Sequence, residues 1–138
     1  MKRSATAVWA GSLKEGDGKI STQSGVLSNA QYSFKTRFES GIGTNPEELI
    51  AAAHSGCFTM QLTAYINEAG YRVASIETKC DVDFQNGSVV SSHLHLIARI
   101  DDIDTKEFQE LVKKAEKNCP ISRLLNTEIS SHATLVRS

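Results

Sequence analysis

The stretch GTNPEELIAAAHSGCF, Gly43 to Phe58, decides the fold. Asn45 suits a helix N-cap, Pro46 the first helical position, and Glu48 completes an Asn-x-x-Glu variant of the capping box. The helix that starts here is expected to run from Asn45 to about Ala69, with Gly70 ending it. Its interior, LIAAAHSGCFTMQLTAYI, is apolar nearly all round, and a helix of that kind in a water-soluble protein is enclosed on most sides. It therefore reads as the central helix of the fold, one that a second chain can share. Within it, Gly56 and Cys57 occupy positions where leucine would serve a plain core better.

Upstream lie short strand-like pieces, Ser4 to Gly11, Gly18 to Gly25 and Ala30 to Phe38, with Asp17-Gly18 and Ser28-Asn29 as turn material. They predict an antiparallel meander in which Arg37 leaves the third strand on the face opposite Tyr32 and Phe34. Downstream come two alternating strands. Ile76, Thr78, Cys80, Val82 and Phe84 share one face of the first, and Leu94, Leu96, Ala98 and Ile100 one face of the second, with Gln85 to Ser88 as the hairpin turn. Asp104 or Thr105 then caps a helix whose Phe108, Leu111, Val112 and Ala115 form a stripe extended to Cys119, and Pro120 interrupts it. A helical turn (ISRLLN) and a last strand (EISSHATLV) follow. The order βββ-α-ββ-α-β, rich in hairpins, is an α+β fold in one domain spanning residues 1–138.

A chain of 138 residues with net charge −1 has no basic surplus for neutralising phosphates, which argues against nucleic acid as a partner. No apolar run approaches the roughly 20 residues of a membrane span, and no basic segment leads into an apolar one, so a soluble cytoplasmic protein is expected. In that compartment three cysteines are expected as thiols, and a disulfide would be catalytic or sensory.

Taken alone, Cys57 reads as a small buried hydrophobe, and Cys80, alternating with Thr78 and Val82, as core. Burial raises a thiol pKa, so a reactive Cys57 needs a cation, for which Arg37 and His54 are candidates. Cys119, at a helix break before Pro120, reads as a buried cap residue, although a thiol at such a break has more freedom to move. His54, three residues before Cys57, permits a Cys-His pair, but no Asp or Asn follows to orient the ring, and a partly buried histidine bonded to backbone is the plainer reading. His93 and His95 share a strand face and could hold a metal, but no third ligand is evident. Glu47 and Glu48 suit the first turn of a helix, and Glu48 is the better explained by capping. Glu47 and Cys57 are ten residues apart, about 15 Å along a straight helix, and cannot meet within it.

Four blocks together, SGVL (Ser24 to Leu27), YSFKTRFE (Tyr32 to Glu39), GTNPEELIAAAHSGCFTM (Gly43 to Met60) and NCPIS (Asn118 to Ser122), closely resemble the OsmC/Ohr family of thiol-dependent organic hydroperoxide reductases. The resemblance runs from Trp9 to the final strand, and AAHSGCF looks like the OsmC branch, since the Ohr branch usually lacks this histidine. It implies an intertwined α+β homodimer with two active sites at the interface. It also implies Cys57 as the peroxidatic cysteine, Cys119 as the resolving one, and Arg37 and Glu47 as the residues supporting the thiolate. The implied chemistry reduces an organic hydroperoxide to an alcohol through a Cys57 sulfenic acid and a Cys57-Cys119 disulfide, which an external dithiol or lipoyl-type reductant reopens, in oxidative or osmotic stress defence. It needs no metal, haem, flavin or nucleotide cofactor, because the electrons pass through sulfur. Two other readings use the same residues: a non-enzymatic thiol redox sensor or binder of small hydrophobic molecules, and a Cys-His hydrolase built on His54 and Cys57.

Overall fold

The computed structural model describes Met1 to Arg137. Its elements are β1 (Ala5–Ala10), β2 (Asp17–Thr22), β3 (Ala30–Tyr32), α1 (Phe34–Phe38), α2 (Pro46–Glu68), β4 (Val73–Gln85), β5 (Ser88–Ile100), α3 (Thr105–Asn118), α4 (Pro120–Leu124) and β6 (Glu128–Val136). This is the expected α+β class, and the chain divides into two compact units, Met1–Leu49 and the residues from Ile50 onward.

In the first unit β1, β2 and β3 form an antiparallel sheet in that order. Gly18 is required by close approach: a Cβ there would run into the rings of Trp9 and Tyr32, which meet edge to face with centroids 5.5 Å apart. Asp17 and Gly18 pair with Ala10 and Trp9 inside the ladder, so the turn expected at Asp17-Gly18 lies before them, between Gly11 and Gly16.

The expected strand Ala30 to Phe38 stops at Tyr32. Ser33 and Thr36 form a reciprocal capping box: the Thr36 N–H donates to Ser33 Oγ (3.3 Å) and the Ser33 N–H to Thr36 Oγ1 (2.8 Å), which starts α1 at Phe34. The alternation of aromatic and polar residues mimics a strand, but this local pairing overrides it. On the helix Phe34 and Phe38 stack one turn apart, and the Arg37 guanidinium lies 5.5 Å from the Phe38 ring. Arg37 is therefore not on a strand face opposite the aromatics. With α1 and α4 counted, the order is βββ-αα-ββ-αα-β rather than βββ-α-ββ-α-β.

α2 begins as expected, the Glu48 N–H donating to Asn45 Oδ1 at 2.8 Å. The other half of the expected capping box is replaced: the Glu48 carboxylate accepts the Thr44 hydroxyl at 2.8 Å. From Ile50 onward the second unit holds a three-stranded sheet, β4-β5-β6, antiparallel between β4 and β5 and parallel between β5 and β6. The β4-β5 hairpin closes through Asn86 (φ 50°) and Gly87 (φ 80°), the two-residue turn whose twist matches that of the strands.

The core of this unit is laid down by period. α2 buries His54, Phe58, Leu62 and Ile66 at four-residue spacing. β5 contributes Leu94, Leu96, Ala98 and Ile100 from alternate positions, and α3 adds Phe108, Val112, Ala115 and the capping Cys119. The face of α2 opposite the buried stripe, with Ala52, Ala53, Gly56, Met60 and Ala64, is exposed in the single chain, so the chain itself encloses one side of the helix only. Cys57 lies at the border of the two faces and is half-buried.

Candidate active site

Each compact unit holds its own group of candidate residues. In the first unit the Arg37 guanidinium meets the Glu47 carboxylate at two points, Nε to Oε1 at 3.2 Å and Nη2 to Oε2 at 3.3 Å. This fork geometry holds a guanidinium in one orientation as a single contact does not. The Glu47 side chain is 11% exposed and that of Arg37 40%, so the carboxylate is the fixed partner. The Asn45 amide donates to the Thr36 carbonyl at 2.9 Å, tying the cap of α2 to α1, the two elements that carry Glu47 and Arg37. Beside the arginine lies a cavity of about 220 Å³ lined by Trp9, Leu13, Tyr32, Ser33, Phe34 and Arg37.

In the second unit the fold brings Cys57 and Cys119 together, although they lie 62 positions apart in the chain. Burial pushes the Cys57 thiol above its ordinary pKa; the Ile121 backbone, by hydrogen bonding, draws it partly back, and the neighbouring Cys119 thiol adds to the rise. Cys57 opens on a cavity of about 280 Å³ lined also by Met60, Gln61, Ala64 and Pro120. The alkyl, thioether and pyrrolidine groups of that wall suit an apolar substituent.

Cys119 ends α3 and caps α4: its Sγ accepts the Ser122 N–H at 3.3 Å and lies 3.2 Å from Ser122 Oγ. The thiol is fully buried, so the break at Pro120 serves as a cap. All three cysteines are free thiols.

His54 departs from its sequence reading. The ring is fully buried and bonds two serine hydroxyls rather than backbone, Nδ1 to Ser92 Oγ at 2.6 Å and Nε2 to Ser122 Oγ at 2.7 Å. With both ring nitrogens engaged in this way, the Cys57-His54 pair that helical spacing allows is not formed. Burial pushes the imidazole below its ordinary pKa, and the charge of Glu116 offsets part of that. Cys80, read as core, packs against it, and its Sγ lies 3.2 Å from Ser92 Oγ and 3.9 Å from His54 Nδ1. Burial raises the Cys80 thiol, and the Ser92 bond lowers it in part.

The sequence reading gave no role to Ser92 or Ser122. A buried serine inside the apolar run of β5 and a serine in the first turn after Cys119-Pro120 were the available signals. His93 and His95 gain a neighbour that sequence spacing does not reveal, since parallel pairing sets His132 opposite His95 with ring centroids 5.2 Å apart. His93 Nδ1 is taken by Ser130 Oγ at 2.7 Å, and no metal-ligating group of three or more His, Cys, Asp or Glu is present among the described residues. No helix among those residues is long and apolar enough to cross a membrane.

Comparison with known proteins agrees with this architecture. Residues 39–132 match the family model described as OsmC-like protein. The chain is 41% identical over 128 residues to the protein named peroxiredoxin OsmC of Escherichia coli strain K12, covering 90% of each. It is 29% identical over 114 residues to the organic hydroperoxide resistance protein OhrB of Bacillus subtilis strain 168, covering 77% of this chain and 79% of that one. The fold matches the crystal structure of the OsmC-like protein from Mycoplasma pneumoniae with a TM-score of 0.75 over 99% of this chain and 98% of that one, at 14% identity. With most of its length matched by a family model and by a relative well above 30% identity, the chain belongs to the OsmC-like protein family.

Proposed function

We propose that this protein is a thiol peroxidase that reduces organic hydroperoxides, with Cys57 as the peroxidatic and Cys119 as the resolving cysteine. The observation that carries the reading is the juxtaposition of two free thiols, Cys57 half-buried beside an apolar cavity and Cys119 fully buried next to Cys57. The names of the relatives, a peroxiredoxin and an organic hydroperoxide resistance protein, support the same activity.

The Cys57 thiolate attacks the outer oxygen of the hydroperoxide, the O–O bond breaks, and an alcohol leaves with a proton, so that sulfur is oxidised to a sulfenic acid. Cys119 then attacks that sulfur, forming the disulfide and releasing water. An external dithiol or lipoyl-type reductant restores both thiols by exchange. Within the chain, burial and the second thiol both oppose ionisation of Cys57, so the thiolate needs a cation. Arg37, already oriented by Glu47, has the fixed charge for that task and donors for the departing oxygen.

Glu47 and Cys57 stand about 15 Å apart along a straight helix, which favours a homodimer in which Arg37 of the partner subunit completes the site. The exposed apolar face of α2, Ala53, Gly56, Met60 and Ala64, supports the same assembly, because small residues let two helices approach closely.

The test is to give the reduced protein one equivalent of cumene hydroperoxide, count the thiols lost, and then add excess peroxide with a dithiol. Loss of two thiols followed by sustained turnover supports a peroxidase. A single oxidation without turnover supports a redox sensor, and intact thiols with ester cleavage a Cys-His hydrolase. Mixed dimers of Cys57→Ser and Arg37→Ala subunits test the shared site: one intact site, and so recovered activity, is expected, whereas no recovery refutes sharing.

A further inference from the structure

His54, Ser92 and Ser122 form a buried polar path through an otherwise apolar core. From the Cys119 Sγ the path runs 3.2 Å to Ser122 Oγ, 2.7 Å to His54 Nε2, across the ring, 2.6 Å from Nδ1 to Ser92 Oγ and 3.2 Å to the Cys80 Sγ. His54, Ser92 and Cys119 are fully buried and Ser122 is 7% exposed. A core built for stability alone has little reason to hold these groups, since each polar atom placed there must find a partner or destabilise the fold. Here every buried side-chain nitrogen and oxygen among the described residues has a partner, so the path is complete.

We propose that His54 is a positioning residue for the resolving step, accepting the Cys119 thiol proton through the Ser122 hydroxyl so that Cys119 attacks oxidised Cys57 as a thiolate. This rests on the reading of Cys57 and Cys119 as the peroxidatic and resolving pair. The Cys119 S–H proton passes to Ser122 Oγ while the Ser122 O–H proton passes to Nε2. The thiolate forms the S–S bond as the S–O bond of the Cys57 sulfenic acid breaks, and the departing hydroxide takes up one proton to leave as water. The imidazolium releases one proton, so the net result is a disulfide and one water. The electrons balance within sulfur: Cys119 is oxidised as the Cys57 sulfenic sulfur is reduced.

The surroundings fit each state in this sequence. The resting state this step requires, neutral His54 donating from Nδ1 to Ser92 and accepting at Nε2, is compatible with both contacts, and burial keeps the ring neutral and available. Once it has taken the proton, both ring nitrogens donate, and both already face serine oxygens. The new thiolate accepts the Ser122 N–H as well as its hydroxyl. The titratable groups that bear on the ring are Cys80 from β4, 3.9 Å from Nδ1, and Glu116 of α3, whose negative charge favours the imidazolium; Cys119 reaches it through Ser122, and Cys57 lies one turn away on α2. Because burial holds the imidazole below its ordinary range, it keeps the proton only briefly, which suits a transient general-base step.

The experiment is a single turnover of the reduced full-length protein with one equivalent of cumene hydroperoxide, from pH 5.5 to 9. Three quantities are followed: alcohol formed, sulfenic acid trapped at Cys57 by dimedone, and Cys57-Cys119 disulfide. In the wild type the disulfide rate is expected to stay nearly level between about pH 6.5 and 8.5, where unassisted thiolate would fall about tenfold per unit. Ser122→Ala and His54→Gln are expected to form alcohol within twofold of wild type. Their disulfide formation at pH 7 should be slowed about 10- to 100-fold, with sulfenic acid accumulating and the deficit closing toward pH 9. Ser122→Thr, which keeps the hydroxyl, should restore the level profile. A wild-type rate that rises tenfold per pH unit overturns the proposal whether or not any variant folds. Variants that resolve at the wild-type rate, or are slowed equally at every pH, also overturn it. Failure of the wild type to form a sulfenic acid at all overturns the peroxidase reading itself, and the proposal with it.

Discussion

Replacing Glu47 by glutamine separates the orientation of Arg37 from its charge. The side chain keeps its size and one acceptor oxygen but loses the second point of the fork that holds Nε at 3.2 Å and Nη2 at 3.3 Å. Exposed ion pairs are worth about 0.2 to 1 kcal/mol, and breaking a fully buried one costs about 3 to 5. With Glu47 11% exposed and Arg37 40% exposed, solvent screens the arginine side, and about 1.5 kcal/mol is a reasonable value. If that energy holds the guanidinium where the leaving oxygen develops charge, kcat/KM for cumene hydroperoxide falls roughly tenfold in Glu47→Gln. The charge of Arg37 remains, so the pH profile of Cys57 alkylation by iodoacetamide should not move upward, whereas Arg37→Ala should move it upward. Dithiol-coupled turnover and alkylation in a Cys80→Ala, Cys119→Ala background measure the two effects. A Glu47→Gln enzyme within twofold of wild type refutes the orienting role. An alkylation profile displaced as far as that of Arg37→Ala refutes the separation of orientation from charge.

Cys119→Ser should still consume one equivalent of hydroperoxide but lose dithiol-dependent turnover by at least tenfold, with dimedone-reactive sulfenic acid persisting at Cys57 in the mass spectrum. Phe58→Ala, which empties a fully buried position on α2, should destabilise the fold by about 3 to 5 kcal/mol in urea titration. The His54 imidazole lies below its ordinary 6.5, so between the folded and unfolded pKa values the unfolded chain binds more protons. That stability is present above pH 6.5 and is lost as pH falls through 6.5 toward the folded pKa, at up to about 1.4 kcal/mol per unit. Urea midpoints at pH 5 and 7.5 should differ less in His54→Gln than in the wild type.

What the sequence disclosed and what it withheld follow from the range of the forces involved. α2, its Asn45 cap, the β4-β5 hairpin and the α3 stripe are local or periodic features, and a single sequence displays them directly. α1 was hidden because Tyr32 to Arg37 alternates like a strand, while the deciding signal, Ser33 paired with Thr36, is only two side chains. Arg37 and Glu47 were linked only through the family resemblance, and the structure shows them joined in a two-point fork. The environment of His54 was not legible at all. Its partners lie 38 and 68 residues away, on β5 and α4, and no periodicity links them to the helix.

The same distinction bears on why Cys119 is placed at a helix break. A looser backbone there would help a resolving thiol to travel, yet the thiol is fully buried, receives the Ser122 N–H, and already neighbours Cys57. Travel is therefore not the main requirement. What the break supplies is direction. Ending α3 at Cys119 and starting α4 at Pro120 turns Ser122 back toward the sulfur, with its hydroxyl between Sγ and the His54 ring. An uninterrupted helix would leave the Ser122 N–H bonded to the carbonyl one turn before it and remove it from the sulfur. Pro120, which has no N–H to lose at the first helical position, lets the chain restart at that point. The Cys-Pro pair thus aims the Ser122 hydroxyl and N–H at the second thiol.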